Sequence, residues 1–210
     1  MTGGWPLDLV ALVADKDIQQ VLLGLLEKRQ QSLGIALGTW QVNVHPRHDP
    51  GVLREADQVL HSMSGLARHA LVVLDHEGSG RDATLAADLE RDLTQRLAGS
   101  GWGDRAAALV IEPEVEVWVW SDSPKVDEAL GWTEPGKLRP WLAQRGLLPA
   151  GATKPPQPKA AFDEAIAHAK LRRSSAIFRE LAENVGLERC TDATFARLST
   201  TLRAWFSAKA

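Results

Sequence analysis

The chain has 210 residues, 44% of them hydrophobic and 24% charged, which is enough apolar matter for a buried core and too little net charge for a disordered segment. One cysteine, Cys190, excludes an internal disulfide framework and a cysteine-built zinc site; no stretch approaches the roughly 20 apolar residues of a membrane span, and residues 1–6 lack the basic-then-apolar pattern of a secretion signal, so a cytoplasmic location is expected. Charge is uneven: residues 1–150 carry 14 Lys and Arg against 21 Asp and Glu, whereas residues 151–210 carry 10 against 6, so the second part suits phosphate backbones better than the first, unless its cations only solvate helix faces.

Residues 7–14 (LDLVALVA) form a short apolar run of the buried-strand type, ending at Asp15-Lys16-Asp17. Ile18, Val21, Leu22, Leu25 and Leu26 then recur at helical spacing, with Asp17 as the expected N-cap, Gln20 as its capping partner and Gly34 as the stop. Trp40, Val42 and Val44 alternate with polar residues, predicting a second strand at 39–44. Asp49-Pro50 opens a helix with Pro at the first helical position, carrying Val52, Ala56, Val59, Leu60 and Met63 and ending at Gly65. A third strand at 70–74 (ALVVL) runs into Asp75-His76-Glu77-Gly78-Ser79-Gly80. A helix is expected over 82–97, and a fourth strand over 106–111, ending at Glu112-Pro113-Glu114.

Alternation of this kind calls for a parallel sheet flanked by helices, with right-handed crossovers. Residues 115–120 (VEVWVW) alternate like a strand but follow Pro113 and two glutamates like a helix start. Short helices are expected at 125–130 and 137–145, a proline-rich connector at 149–159, and three helices at about 160–172, 175–185 and 193–206, with Ser174 and Asp192 capping the last two. The fold class is therefore α/β: a small parallel-sheet domain over 1–122 and an α-helical C-terminal extension over 123–210.

Three strand ends carry acids: Asp15 and Asp17, Asp75 and Glu77, and Glu112, Glu114 and Glu116. A parallel sheet brings these ends to one edge, where crowded carboxylates repel one another unless a cation lies among them. Mg²⁺ (or Mn²⁺) suits hard oxygen ligands and few protein contacts, and can orient a phosphodiester and activate water. An acid after a strand is also an ordinary helix cap, and His76 an ordinary loop histidine. His45 and His48 flank a Pro-containing turn and make a poor metal clamp. Gly78-Ser79-Gly80 before a helix can hold an anion through backbone N–H groups but lacks the P-loop lysine. Cys190 lies in an interhelix turn with no evident histidine partner.

The strand–helix start LVALVADKDIQQVLLGLL and the later VVLDHEGSG resemble the toprim family, in which an acidic residue follows the first strand and an Asp-x-Asp motif a later one, with Glu77 here in place of the second Asp. PEVEVW (113–118) and the closing helices resemble small toprim-like proteins of bacterial defence islands and, in general appearance, an accessory component of a methylation-associated anti-phage system. This resemblance tips 115–120 towards helix. It implies a Mg²⁺-dependent nuclease or related phosphoryl-transfer protein: Asp75 and Glu77 as metal ligands, Asp15 as base or ligand, Glu114 and Glu116 as supporting acids, and Lys170, Arg172 and Arg173 as contacts to nucleic acid. Toprim-like chains of this type carry Glu-Gly after the first strand; here the expected glutamate falls on Ala14 or Asp15. That departure, the acidic main domain and the eight tryptophans support an alternative, a catalytically inactive partner of other defence-system proteins.

Overall fold

A computed structural model of the chain describes residues 4–134 and 136–208; the reading of residues 1–3 lies outside the described residues. Four strands, β1 (Leu7–Val13), β2 (Trp40–Val44), β3 (Ala67–Asp75) and β4 (Ala106–Ile111), form one all-parallel sheet in the order β2-β1-β3-β4. Val13 is level with both Val44 and Val73, and Asp75 with Ile111. The two central strands are buried on both faces from Leu9 to Val13 and from Ala70 to Asp75, which is why they read as unbroken apolar runs rather than alternating ones.

Helix α1 (Lys16–Lys28) joins β1 to β2, α3 (His48–His61) joins β2 to β3, and α4 (Ala86–Leu97) joins β3 to β4, while α2 (Gln30–Leu33) is a short turn after α1. The first crossover runs outward in one direction and the next two in the other. Right-handed connections therefore put α1 on one face of the sheet and α3 with α4 on the opposite face. α4 also shields the free edge of β4: Glu90 Oε1 accepts the Val110 N–H at 2.8 Å and Thr94 Oγ1 the Ala108 N–H at 3.3 Å, removing donors from an edge that would otherwise invite another strand.

Several helix starts differ from the sequence expectation. Asp15, not Asp17, caps α1: its backbone is extended and its carboxylate accepts the Ile18 N–H at 2.9 Å. Pairing with β3 continues to the Ala14 N–H, which donates to the Val73 carbonyl, and the helix starts two residues later at Lys16, so Asp17 falls inside its first turn. α3 starts at His48, which leaves Pro50 third in the helix, and it ends at His61 before a turn that contains Gly65. α4 starts at Ala86 instead of 82, because Asp82 folds back onto the Gly78 N–H (3.1 Å) and Leu85 is left 71% exposed.

The alternating 115–120 segment holds a one-turn helix, α5 (Glu116–Val119). All four of its residues are buried, so the alternation does not separate a wet face from a dry one. Then follow α6 (Pro124–Ala129), α7 (Leu138–Gln144), α8 (Pro158–His168), α9 (Ser175–Asn184) and α10 (Ala193–Phe206). α8 stops at His168 rather than 172, since Lys170 takes a left-handed backbone (φ +56°) that no helix continues through. Ser174 and Asp192 cap α9 and α10 as expected.

The helical part shares the core of the sheet. α9 packs along α1, and Gly24 permits the approach: a Cβ there would lie 3.0 Å from Ala182 Cβ and 3.1 Å from the Arg179 carbonyl. α10 packs against β4, and one apolar cluster runs from Leu9 through Ile18, Trp102, Phe162 and Phe178 to Phe206. The connector 149–159 is tied down by Lys154, whose Nζ donates to the Val117 carbonyl at 3.0 Å. Trp102 and Trp120 are core residues with their indole N–H groups bonded to the carbonyls of Leu60 and Pro158; Trp40 is half-buried, and Trp5 is exposed over the Arg105 guanidinium. No helix among the described residues is long and apolar enough to cross a membrane.

Candidate functional site

Between β1 and β3 the crossovers reverse direction, and the carboxyl ends of the strands beside such a switch point are the usual ligand position in open parallel sheets. Asp15 lies two residues past the end of β1, Asp75 ends β3, and Asp49 lies in the first turn of α3 after β2. Asp49 grips β3 directly, its Oδ1 accepting the Asp75 backbone N–H at 2.8 Å. Glu114 and Glu116 reach the same edge from the segment after β4.

Asp75 is the centre of this arrangement. It is 7% exposed, and its Oδ1 is buried without a hydrogen-bond partner. Burial, then the charges of Asp49, Asp15, Glu116 and Glu114, hold its carboxyl well above the usual carboxylate range. Burial also raises Asp15 and Asp49, with their backbone hydrogen bonds pulling the other way. A lone buried carboxylate facing other acids is the least favourable ionised state in the molecule.

The outer acids are treated differently. Glu116, 1% exposed, accepts from Arg173 Nη2 at 2.6 Å; the same nitrogen reaches Asp17 at 2.9 Å, and Nη1 reaches Asp163 at 2.7 Å. The guanidinium lies over Phe162 and Phe178, 5.0 and 5.7 Å from their ring centres. Burial favours the neutral form of both partners; it raises Glu116, while at Arg173 the Glu116 hydrogen bond and charge outweigh it and hold the proton more tightly. Glu114, also buried, accepts from Lys159 Nζ at 3.1 Å and from the Lys159 backbone N–H at 3.2 Å. The site therefore has two layers: an inner one of Asp15, Asp49 and Asp75 with no cation bonded to it among the described residues, and an outer one of Asp17, Glu114 and Glu116 in ion pairs with Arg173 and Lys159.

Of the residues singled out from sequence, Asp15, Asp75, Glu114 and Glu116 come together. Glu77 does not join them closely: it is exposed, its N–H bonded to the Pro113 carbonyl at 3.0 Å, and it is absent from the leading charges acting on Asp75. Arg173 is turned into the acidic edge, whereas Lys170 and Arg172 are exposed and make no ion pair among the described residues. His76 donates from Nε2 to the Thr84 carbonyl at 2.7 Å, since a carbonyl can only accept. The Gly78–Gly80 turn is closed on itself, with the Gly78, Ser79 and Arg81 N–H groups taken by Asp82, His76 and Ser79, and five residues separate Gly80 from α4, so these amides are not a helix-start anion cradle. His45 is buried, with Nδ1 accepting the Arg47 N–H at 3.1 Å. Burial pushes the Cys190 thiol up, away from a reactive thiolate.

Two members of the site escape a reading of motifs. Asp49 reads as a helix opener, although an acid following the second parallel strand is the signal for it. Lys159 ends the stretch that reads as a proline-rich connector, but it is the second residue of α8, and its path back to Glu114 is revealed only by the fold. Among the described residues no three His, Cys, Asp or Glu side chains are arranged to hold a metal ion by themselves. Mg²⁺ asks for less: it is held by one or two carboxylates, with water and substrate oxygens completing its shell. The unpartnered Asp75 oxygen and its acidic neighbours fit that requirement. Comparisons with models of protein families, with curated proteins and with solved structures give no match.

Proposed function

We propose that the chain is a Mg²⁺-dependent phosphoryl-transfer protein of toprim-like type, acting as a nuclease in bacterial defence against foreign DNA. The observation that carries this reading is the buried, unpartnered Asp75 oxygen among Asp15, Asp49, Glu114 and Glu116 at the switch point of the sheet. Asp75, with Asp15 or Asp49, would hold the ion, which supplies charge neutralisation and a more acidic water. Asp15 is the side chain placed to take a proton, because burial gives it an affinity above that of an ordinary aspartate. Arg173, fixed by Glu116 and Asp17, presents a cation at the edge where a phosphate would approach. The toprim-like resemblance supplies the defence setting.

A second reading is favoured by one specific observation: Arg173 and Lys159 are already engaged in ion pairs with Glu116, Asp17 and Glu114. On that reading the acidic edge is internally compensated, and the chain is a non-catalytic partner in a defence complex. Titration with Mg²⁺ or Mn²⁺ separates the two, following thermal stability together with cleavage of single- and double-stranded DNA. Metal-dependent cleavage that Asp75→Ala abolishes is the expected result. No metal response and no cleavage, with a stable complex to another defence protein, would overturn the enzyme reading.

A further inference from the structure

Beside the acidic edge lies a polar groove of about 570 Å³, bounded by α3, the turn after β3 and α4, a volume within the roughly 300–1,000 Å³ of ordinary ligand clefts. In sequence its lining comes close to the site: Pro50 follows Asp49, and Ser79 and Gly80 follow Asp75 within the turn after β3. Three arginines and two aspartates line it, and their pairing is unequal. Asp92 lies 3.2 Å from Arg96 Nε as an ion pair, Arg96 Nη1 donates to Asp57 at 2.8 Å, and Asp88 is paired with Arg91. Arg54 and Arg81 face no carboxylate within ion-pair distance among the described residues. Each is anchored through Nε alone, Arg54 to the Pro50 carbonyl at 2.9 Å and Arg81 to Thr84 Oγ1 at 3.3 Å. That anchoring fixes the direction of each side chain and leaves both exposed guanidinium ends free to donate.

We infer that this groove is a track for the sugar–phosphate backbone of a nucleic-acid strand, with Arg54 and Arg81 as its phosphate contacts. The inference rests on the phosphoryl-transfer reading and adds the path by which substrate reaches Asp75. The chemistry is specific in kind: two directed guanidinium groups without internal counter-charges suit a chain of phosphates better than a neutral ligand. The remaining lining charges, Arg96 with Asp88 and Asp92, are engaged in ion pairs, so these two arginines are the groove's cations without a carboxylate partner among the described residues. It also accounts for how an acidic domain could bind a polyanion, by a local track rather than by overall charge.

The test is fluorescence anisotropy of the full chain with a labelled single-stranded oligonucleotide and its duplex, across a salt series in Ca²⁺ to withhold cleavage. Arg54→Ala/Arg81→Ala should weaken binding roughly tenfold at low salt and reduce the slope of log K against log salt by about 1.4 for the single strand, two phosphate contacts at about 0.7 each. Arg68→Ala, which removes an exposed cation at the opposite end of β3, should change neither. Wild-type affinity and slope in the double variant, or no binding by the wild type, would overturn the track. The phosphoryl-transfer reading is judged separately, by the Mg²⁺-dependent thermal shift and its loss in Asp75→Asn.

Discussion

Asp75→Asn tests the electrostatics of the site without reference to any substrate. The wild-type carboxyl is buried, has one oxygen without a partner, and faces Asp49, Asp15, Glu116 and Glu114. A buried acceptor left unsatisfied costs about 1–3 kcal/mol, and more when it is charged. An amide of the same shape carries no charge and brings two donors to that acidic surrounding, while the backbone N–H bonded to Asp49 is unchanged. In metal-free buffer at neutral pH, Asp75→Asn should therefore be more stable than wild type by about 1–3 kcal/mol, which at about 2–4 °C per kcal/mol is a rise in Tm of roughly 2–12 °C.

The advantage must depend on pH in a set direction. Folding raises the proton affinity of Asp75, so the folded chain binds more protons than the unfolded one between the two midpoints. Wild-type stability then falls as pH rises from the ordinary aspartate range near 3.8 up to the folded midpoint, and is level below that interval. Asp15, Asp49 and Glu116 shift the same way and persist in the variant, so the informative quantity is the difference between the two proteins, small in acid and growing as pH rises. Mg²⁺ should reverse the order: at 100 times its Kd it stabilises the wild type by about 2.7 kcal/mol and the variant hardly at all. Differential scanning fluorimetry from pH 4 to pH 8, with and without Mg²⁺, reads all of this. A metal-free variant that melts below the wild type at neutral pH, or a difference that does not vary with pH, would refute the argument.

Arg173→Ala leaves Glu116 buried and unpaired, and should destabilise by about 2–4 kcal/mol, less than a fully buried pair because Arg173 is partly exposed; adding Glu116→Gln should recover a large part of that in urea melts. Asp192→Ala removes both the α10 cap, which accepts the Thr194 and Phe195 N–H groups, and the acceptor of the Trp118 indole N–H, and should lower stability by about 2–4 kcal/mol with a change in Trp fluorescence. Gly24→Val should cost about 1–3 kcal/mol by forcing α9 away from α1, visible as a lower denaturant midpoint.

The strands were legible because buried parallel strands announce themselves as short Val- and Leu-rich runs, and 7–14 and 70–74 have no other easy interpretation. The caps of α9 and α10 were legible too, since Ser174 and Asp192 each precede an apolar periodic stretch. Helix starts beside the site were not. Asp15 and Asp17 are both adequate caps, and the choice between them is made by where β1 stops pairing with β3, a long-range fact. The 82–85 segment has helical spacing, yet the Asp82–Gly78 contact holds it in a loop. In the site itself, acids at strand ends could be found by topology alone, whereas the layering could not: whether a carboxylate is compensated depends on Arg173 and Lys159, more than forty residues distant in sequence.

That layering changes what the acidic edge can do. Had all its carboxylates been free, their mutual repulsion would have favoured a protonated cluster or a heavily ligated cation, and the fold would have carried the strain of the whole set. Because Arg173 and Lys159 pair with the outer acids, the inner aspartates around the unpartnered Asp75 oxygen are the ones without a cationic partner among the described residues. A cation arriving there would need to displace neither the guanidinium nor the ammonium, and those two groups would remain as neighbouring positive charges. Phosphoryl transfer asks for that combination, an ion at one oxygen and fixed cations near the others. The same pairs also join the two parts of the chain, since Arg173 ties the α8–α9 connector to Asp17 and Glu116, and Lys159 ties the start of α8 to Glu114. The helical extension thus serves as the counter-charge of the sheet edge, and removing it would disable the edge electrostatically even if the sheet stayed folded.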